Sequence, residues 1–211
     1  MNFRAERAVP PLPTTVANAT ATPPETNPDD LRRAQAGDEA AFGRLMRAHY
    51  EHTFRLVYSI VRSEHDARDV CQEVWLKVWQ ELRNFRGDAK FTTWLHPIAT
   101  RRALDHLRKR RRWYDRLLPF DTDDETVPSA PEPAEEESVR ASAEGNERKA
   151  RLQRALDALP PKHRAVLALR EVEGLSYEEI ARATDLPTGT VMSRLYHARR
   201  KLAAIIQETP S

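Results

Sequence analysis

The stretch GLSYEEIARATDLPTGTVMSRLYHARRKL, Gly174 to Leu202, decides how the rest of the chain is read. Ser176-Tyr177-Glu178-Glu179 has the spacing of a capping box, in which a Ser hydroxyl and a Glu carboxylate three residues on satisfy each other's backbone N–H groups. It opens a short helix through Ile180 and Ala183. Asp185-Leu186-Pro187 then makes a turn, and a second helix runs from about Thr188 to Ala203. Val191, Leu195, Ala198 and Leu202 share one stripe and face inward; Met192, Ser193, Tyr196, His197 and Arg200 share the opposite face, flanked by Arg194, Arg199 and Lys201. Two short helices joined by a tight turn, the second strongly basic, form a helix-turn-helix pattern whose outer face suits a DNA major groove. An ordinary αα-hairpin with a soluble outer face explains the stripe, but not the agreement of box, turn and basic helix.

Upstream, Leu152, Leu156 and Leu159 mark an amphipathic helix ended by Pro160-Pro161. KHRAVLALREVEG follows, with Val166, Leu167 and Leu169 inside and Gly174 as the stop. The N-terminal part is also helical. Asp38 caps a helix carrying Phe42, Leu45 and Met46 and continuing through Phe54, Val57, Ile60 and Val61. Ser63 with Asp66 reads as a second capping box, before Val70, Val74, Trp75, Val78, Trp79 and Leu82 at helical spacing. NFRGDAKF, Asn84 to Phe91, breaks the pattern, and a basic helix is expected from about Thr93 with Pro97 near its first turn; an earlier start would make Pro97 a kink instead.

Charge and proline divide the 211 residues. The net charge of +2 hides +7 over Lys90–Leu118, −9 over Pro119–Glu147 and +6 over Arg148–Ala203. Six of the 15 prolines lie within residues 1–28 and four between Pro119 and Pro133. The expected fold is all-α: a disordered tail (1–28), an N-terminal helical bundle (29–114), an acidic flexible linker (115–148) and a C-terminal helix-turn-helix domain (149–211). Two basic blocks around an acidic one suggest two anion-binding modules on a tether. One cysteine, Cys71, excludes a disulfide framework, and no apolar run approaches the roughly 20 residues of a bilayer span. Without a signal-peptide pattern, the cytoplasm is the expected location.

The basic helix carries Arg101, Arg102, Arg108, Lys109, Arg110, Arg111 and Arg112 around much of its circumference, so a core cannot pair them all and phosphate binding is their natural use. The preceding segment mixes aromatic, cationic and hydrogen-bonding side chains: Asn84, Phe85, Arg86, Asp88, Lys90, Phe91 and Trp94. Stacking platforms beside cations bind single-stranded bases, whereas aromatics also plug cores, which is the reading preferred for Trp94 from composition alone.

Catalysis is not expected. Asp66, Asp69 and Glu73 share a helix face, but a metal-dependent nuclease needs ligands converging from several elements. His49-x-x-His52 has no companion ligands in sequence and reads as helix surface. Cys71, next to Val70 and at helical spacing from Val74 and Trp75, reads as inert packing. No cofactor or metal is expected.

Three blocks in order resemble the extracytoplasmic-function (ECF) group of bacterial sigma factors: DARDVCQEVWLKVW (Asp66–Trp79), NFRGDAKFTTWL with IATRRALDHLRKRRR (from Asn84), and Gly174–Leu202. The resemblance implies an alternative sigma factor that binds core RNA polymerase and melts promoters of a stress or envelope-type regulon. Asp66, Asp69, Gln72, Glu73 and Trp79 would dock on the largest polymerase subunit, and the second domain on the flap of the other large subunit. Asn84–Phe91 with Trp94 would hold a flipped −10 base, while Arg101, Arg102, Arg108 and Lys109 grip the backbone. Thr190, Met192, Ser193, Arg194, Tyr196, His197 and Arg200 would read the −35 element. Capturing an extruded base offsets an unpairing cost of a few kcal/mol. Promoter DNA and core polymerase are the implied partners, with an anti-sigma factor that can hold the protein at a membrane it does not itself enter.

The family's −10 and −35 elements lie roughly 17 base pairs, ~55 Å, apart. A free coil the length of the linker averages only about 30–35 Å, so the linker must be held extended, as by threading through the polymerase cleft. Three positions depart from the family pattern: Met192 and His197, where Lys or Arg is usual, and Pro97, where a polar or basic residue is usual. The rival reading is a stand-alone helix-turn-helix regulator binding operators without polymerase, which requires a dimer or effector module.

Overall fold

A computed structural model describes the backbone of residues 25–117 and 143–207 and the side chains of 25–113 and 150–205. Most of the expected tail and of the acidic linker lies outside these residues. Among the described residues all regular structure is helical: α1 (Pro28–Gln35), α2 (Glu39–Val61), α3 (Glu64–Glu81), a 3-10 turn (Leu82–Asn84), α4 (Phe91–Leu117), α5 (Ala143–Asp157), α6 (Pro161–Glu171), α7 (Tyr177–Thr184) and α8 (Thr188–Gln207).

Local chemistry sets the boundaries. Asn27 accepts from the N–H groups of Asp29 and Asp30 to start α1, and Asp38 accepts from Ala41 N–H at 3.0 Å to start α2. Ser63 accepts from Asp66 N–H at 3.2 Å. The expected return half of that box is not where the Asp66 carboxylate goes: it lies 2.5 Å from Arg110 and 3.3 Å from His106, both on α4. The Ser176–Glu179 box forms in both directions, at 3.2 and 2.8 Å. Asp185 takes φ 57°, the left-handed conformation that an Asp tolerates, and α8 follows at once.

One expectation is corrected. Helix α4 begins at Phe91, two residues before the expected start, so Pro97 lies inside it rather than in its first turn. Its missing N–H removes one rung of the helix ladder. The aromatic packing of Phe91 against Phe85 and Trp94 holds the early start in place.

α1 to α4 form the first bundle, in which α2 packs on α1, α3 and α4. Trp75, Met46, Leu56, Ile60, Leu82 and Leu95 are its largest fully buried side chains. α5 to α8 form the second, around Leu169, Ile180 and Leu195. The apolar core runs on from one bundle into the other, because α6 packs on α2 and α4 while α7 packs on α4. Polar contacts cross the same seam. Arg62, at the left-handed end of α2, sends its Nε to Asp157 at 2.7 Å and also donates to Gln153.

Candidate nucleic-acid and polymerase interfaces

α8 sorts its residues as its stripe predicts. Val191, Leu195 and Ala198 are buried, while Met192, Ser193, Tyr196, His197 and Arg200 are exposed. Thr190 and Arg194 are half-buried at the edges of that face. Tyr196 and Met192 are the most exposed large apolar side chains of α8, at 61% and 48%, and no core explains them. They border a cleft of about 440 Å³ with Tyr177, Arg199 and Arg200. Arg199, expected to flank the face and reach phosphates, is tied to Glu171 of α6 at 2.6 Å.

The segment between α3 and α4 divides by chemistry. Phe85 and Phe91 are buried and, with Trp94, form a cluster with ring centroids 5.3–6.0 Å apart. The backbone turns at Gly87, φ 80°, where a side chain would be strained. Asn84, Arg86, Asp88 and Lys90 are exposed around it. These groups and Trp94 line a cleft of about 780 Å³, large enough for a nucleobase. Its far wall belongs to the second bundle: Glu173, Gly174, Leu175, Glu179, Arg182 and Ala183.

Sequence reasoning missed what holds this loop. Gln35, at the end of α1, donates from Nε2 to the carbonyl oxygens of Leu82 and Phe85 at 3.2 and 2.6 Å. A polar residue at the last position of an otherwise ordinary helix gave no local signal of that distant bond.

On α4, Arg101, Arg108 and Lys109 are exposed and Arg102 is half-buried. Arg108 pairs with Asp105 at 2.9 Å and Arg102 approaches Glu73 at 3.9 Å. Both contacts are at the surface, where a phosphate can displace a carboxylate at little cost.

The expected polymerase-docking set is not uniform. Asp69, Gln72 and Glu73 are exposed on one face of α3. Leu76 continues that face at helical spacing and is 44% exposed, an apolar group that the sequence reading did not single out. Asp66 is drawn inward by His106 and Arg110, and Trp79 packs half-buried on Phe42, ring centroids 4.6 Å apart. Those two support the face from beneath.

The histidine pair of α2 was expected at the surface, and both rings are buried. α2 is covered on that side by α4, α6 and the chain before α1, contacts that periodicity within α2 alone does not reveal. His49 contacts Thr26 Oγ1 at 3.0 Å and meets Phe91 edge-on. His52 lies with His96 against the Glu173 carboxylate. Burial raises the Glu173 carboxyl, but the two imidazoles outweigh it and bring the group down to about 2. No described helix is long and apolar enough to cross a membrane.

Two family models match the chain: Sigma-70 region 2 over residues 45–113 and Sigma-70, region 4 over 149–202. The ECF RNA polymerase sigma factor SigE of Mycolicibacterium smegmatis is 40% identical over 169 residues, 79% of this chain and 63% of that protein. The RNA polymerase sigma-H factor of Pseudomonas aeruginosa is 35% identical over 84% of this chain and 92% of its own length. The ECF RNA polymerase sigma-E factor of Escherichia coli K12 is 34% identical with the same coverage. Among solved structures, CnrH in complex with the cytosolic domain of CnrY shares the fold, with TM-score 0.58 at 23% identity over 86% of this chain and 97% of that one. RpoE in complex with the anti-sigma factor NepR from Bartonella quintana gives 0.56 at 19% identity with the same coverage. With two bundles in the right order, and 92% of the length of two of these relatives and 63% of the third covered, the chain belongs to the sigma-70 family, in its ECF group: it is an alternative sigma factor that directs RNA polymerase.

Proposed function

We propose that this sigma factor divides its work among four surfaces: the exposed face of α3, the loop cleft, the cationic side of α4 and the outer face of α8. Asp69, Gln72, Glu73 and Leu76 dock on the largest polymerase subunit, with Asp66 and Trp79 bracing them. The segment from Asn84 to Phe91, with Trp94, takes a flipped base of the −10 element, and Arg101, Arg102, Arg108 and Lys109 hold the adjacent phosphates. Thr190, Met192, Ser193, Arg194, Tyr196, His197 and Arg200 read the −35 element. Met192 contributes only apolar contact, such as with a thymine methyl, so the base preference there departs from that of relatives carrying a cation. The working units are 29–114 and 149–211, with 115–148 as the tether.

The observation that carries this reading is the concurrence, in one chain, of an exposed reading face on α8 and a loop of exposed polar groups backed by the Phe85–Phe91–Trp94 cluster at the start of the cationic α4. No bond-breaking step is assigned to any residue, and the protein acts in the cytoplasm, where polymerase and promoters are. An anti-sigma factor is the expected restraint, as in the neighbouring structure of RpoE with the anti-sigma factor NepR. In the closed packing of the two bundles, α7 forms a wall of the base cleft, so the bundles separate to engage elements ~55 Å apart.

The test is run-off transcription and gel shift on a genomic promoter library, with the full chain alone and with core polymerase. Promoter-specific transcripts that need both are the expected result. Tight specific binding without core, and no transcripts with it, would overturn the reading in favour of a stand-alone regulator.

A further inference from the structure

Three donor side chains meet where the two bundles touch. His52 comes from α2, His96 from α4, and Glu173 from the loop after α6. Glu173 Oε2 lies 2.5 Å from His52 Nε2 and 3.0 Å from His96 Nε2, and one donor atom from each residue falls within 4.8 Å of the others. The three side chains are only 6%, 5% and 0% exposed.

A proton alone serves this cluster poorly. Both imidazoles converge on the same carboxylate oxygen, yet neither Nε2 makes a directed hydrogen bond, and neither oxygen of Glu173 has one. Burying polar atoms without partners is destabilising. Two ring nitrogens aimed at one carboxylate oxygen, with the second carboxylate oxygen unpartnered, make a donor set that suits a cation. Two imidazole nitrogens and one carboxylate oxygen are the donor set of a zinc-class ion with one position left for water. Water has a route in, because His96 and Glu173 also line the large cleft.

We propose that His52, His96 and Glu173 bind a divalent transition-metal ion of the zinc class, completed by a water from the cleft, and that this ion staples the two bundles together. Two ligands belong to the first bundle and one to the second. The ion therefore binds the closed arrangement far better than the separated one, and by linkage its concentration sets how often the bundles part. The same closed arrangement puts α7 against the base-capture loop, so a bound ion holds the promoter-melting surface covered. The metal site stands without the promoter reading; only that last consequence rests on it.

The experiment uses the tag-free full chain, stripped with a chelator, with no polymerase or DNA present. Cobalt(II) is titrated and its visible ligand-field absorption followed. The wild type should saturate near one equivalent. Glu173→Gln, which keeps the shape of the side chain, and His96→Asn should each weaken binding at least about 100-fold, since even indirect partners of a metal cost 10–100-fold. His65→Ala, on the exposed side of α3, should leave it unchanged, and circular dichroism verifies that each variant keeps its helices. Spin labels at Gln80→Cys and Arg154→Cys, exposed on α3 and α5, then report the distance between bundles with zinc and with chelator. Zinc should narrow the distribution to its short component in the wild type and not in Glu173→Gln. Absence of cobalt absorption, or equal absorption in Glu173→Gln, overturns the site; metal binding without a change in distance overturns the staple.

Discussion

His49 illustrates how one buried side chain sets a pH response. Its ring is fully buried, and burial first, then the neighbouring His52, push the imidazole down from 6.5 to about 4. The folded value lies below the unfolded one, so its full contribution to stability is present above pH 6.5. That contribution is lost as the pH falls from 6.5 toward 4, because only the unfolded chain takes the proton there. The whole effect is up to about 3 kcal/mol. Urea unfolding at a series of pH values should show a steeper loss in the wild type than in His49→Gln across that window; equal slopes would refute the assignment. Cys71 makes a second case. Burial first, and then Glu51, push its thiol up to about 12. The native protein should therefore not react with an aromatic disulfide reagent at pH 8, and should release one equivalent of thiolate once unfolded.

At the scale of elements, what was legible depended on distance along the chain. Asp38, Ser63 and Ser176 announce their helices because a cap acts on backbone two or three residues away. The buried stripe of α8 was equally clear, since periodicity needs only the helix itself. Gln35, Asp66 and His52 were misread or overlooked because their partners lie 40 or more residues away, and only folding brings them together. Pro97 was misplaced for a related reason: an aromatic cluster pins the start of α4 at Phe91, overriding the local preference for Pro in the first turn. The interior position has a measurable cost. Pro97→Ala restores the missing donor and gains about 3 kcal/mol of helix propensity, less about 1 kcal/mol for a freer unfolded chain. Denaturant unfolding should show a net stabilisation of about 2 kcal/mol. No gain would mean that the ring is packed productively against the cleft that it lines.

For the molecule as a whole, the seam between the bundles is the feature that governs behaviour. Leu169, Val166 and their neighbours continue the apolar core across it, but it also holds charged groups that water could serve as well. Arg62 is 6% exposed and Asp157 32%. Arg62→Ala keeps the Cβ, and hence the backbone strain at φ 64°, while removing that tie. It should weaken the closed packing by about 1–3 kcal/mol, read as a longer, broader inter-bundle distance in spin-label measurements with unchanged helix content. An unaltered distance distribution would show that the apolar contacts suffice. The loop facing this seam is fastened in a way that bears on how such proteins diverge. Gln35 grips main-chain carbonyls, not side chains, so where the loop sits is independent of what the loop says. Residues 86 and 88–90 can be exchanged as a cassette, and successive duplicates of the gene can acquire new vocabularies while inheriting the same reading frame in space.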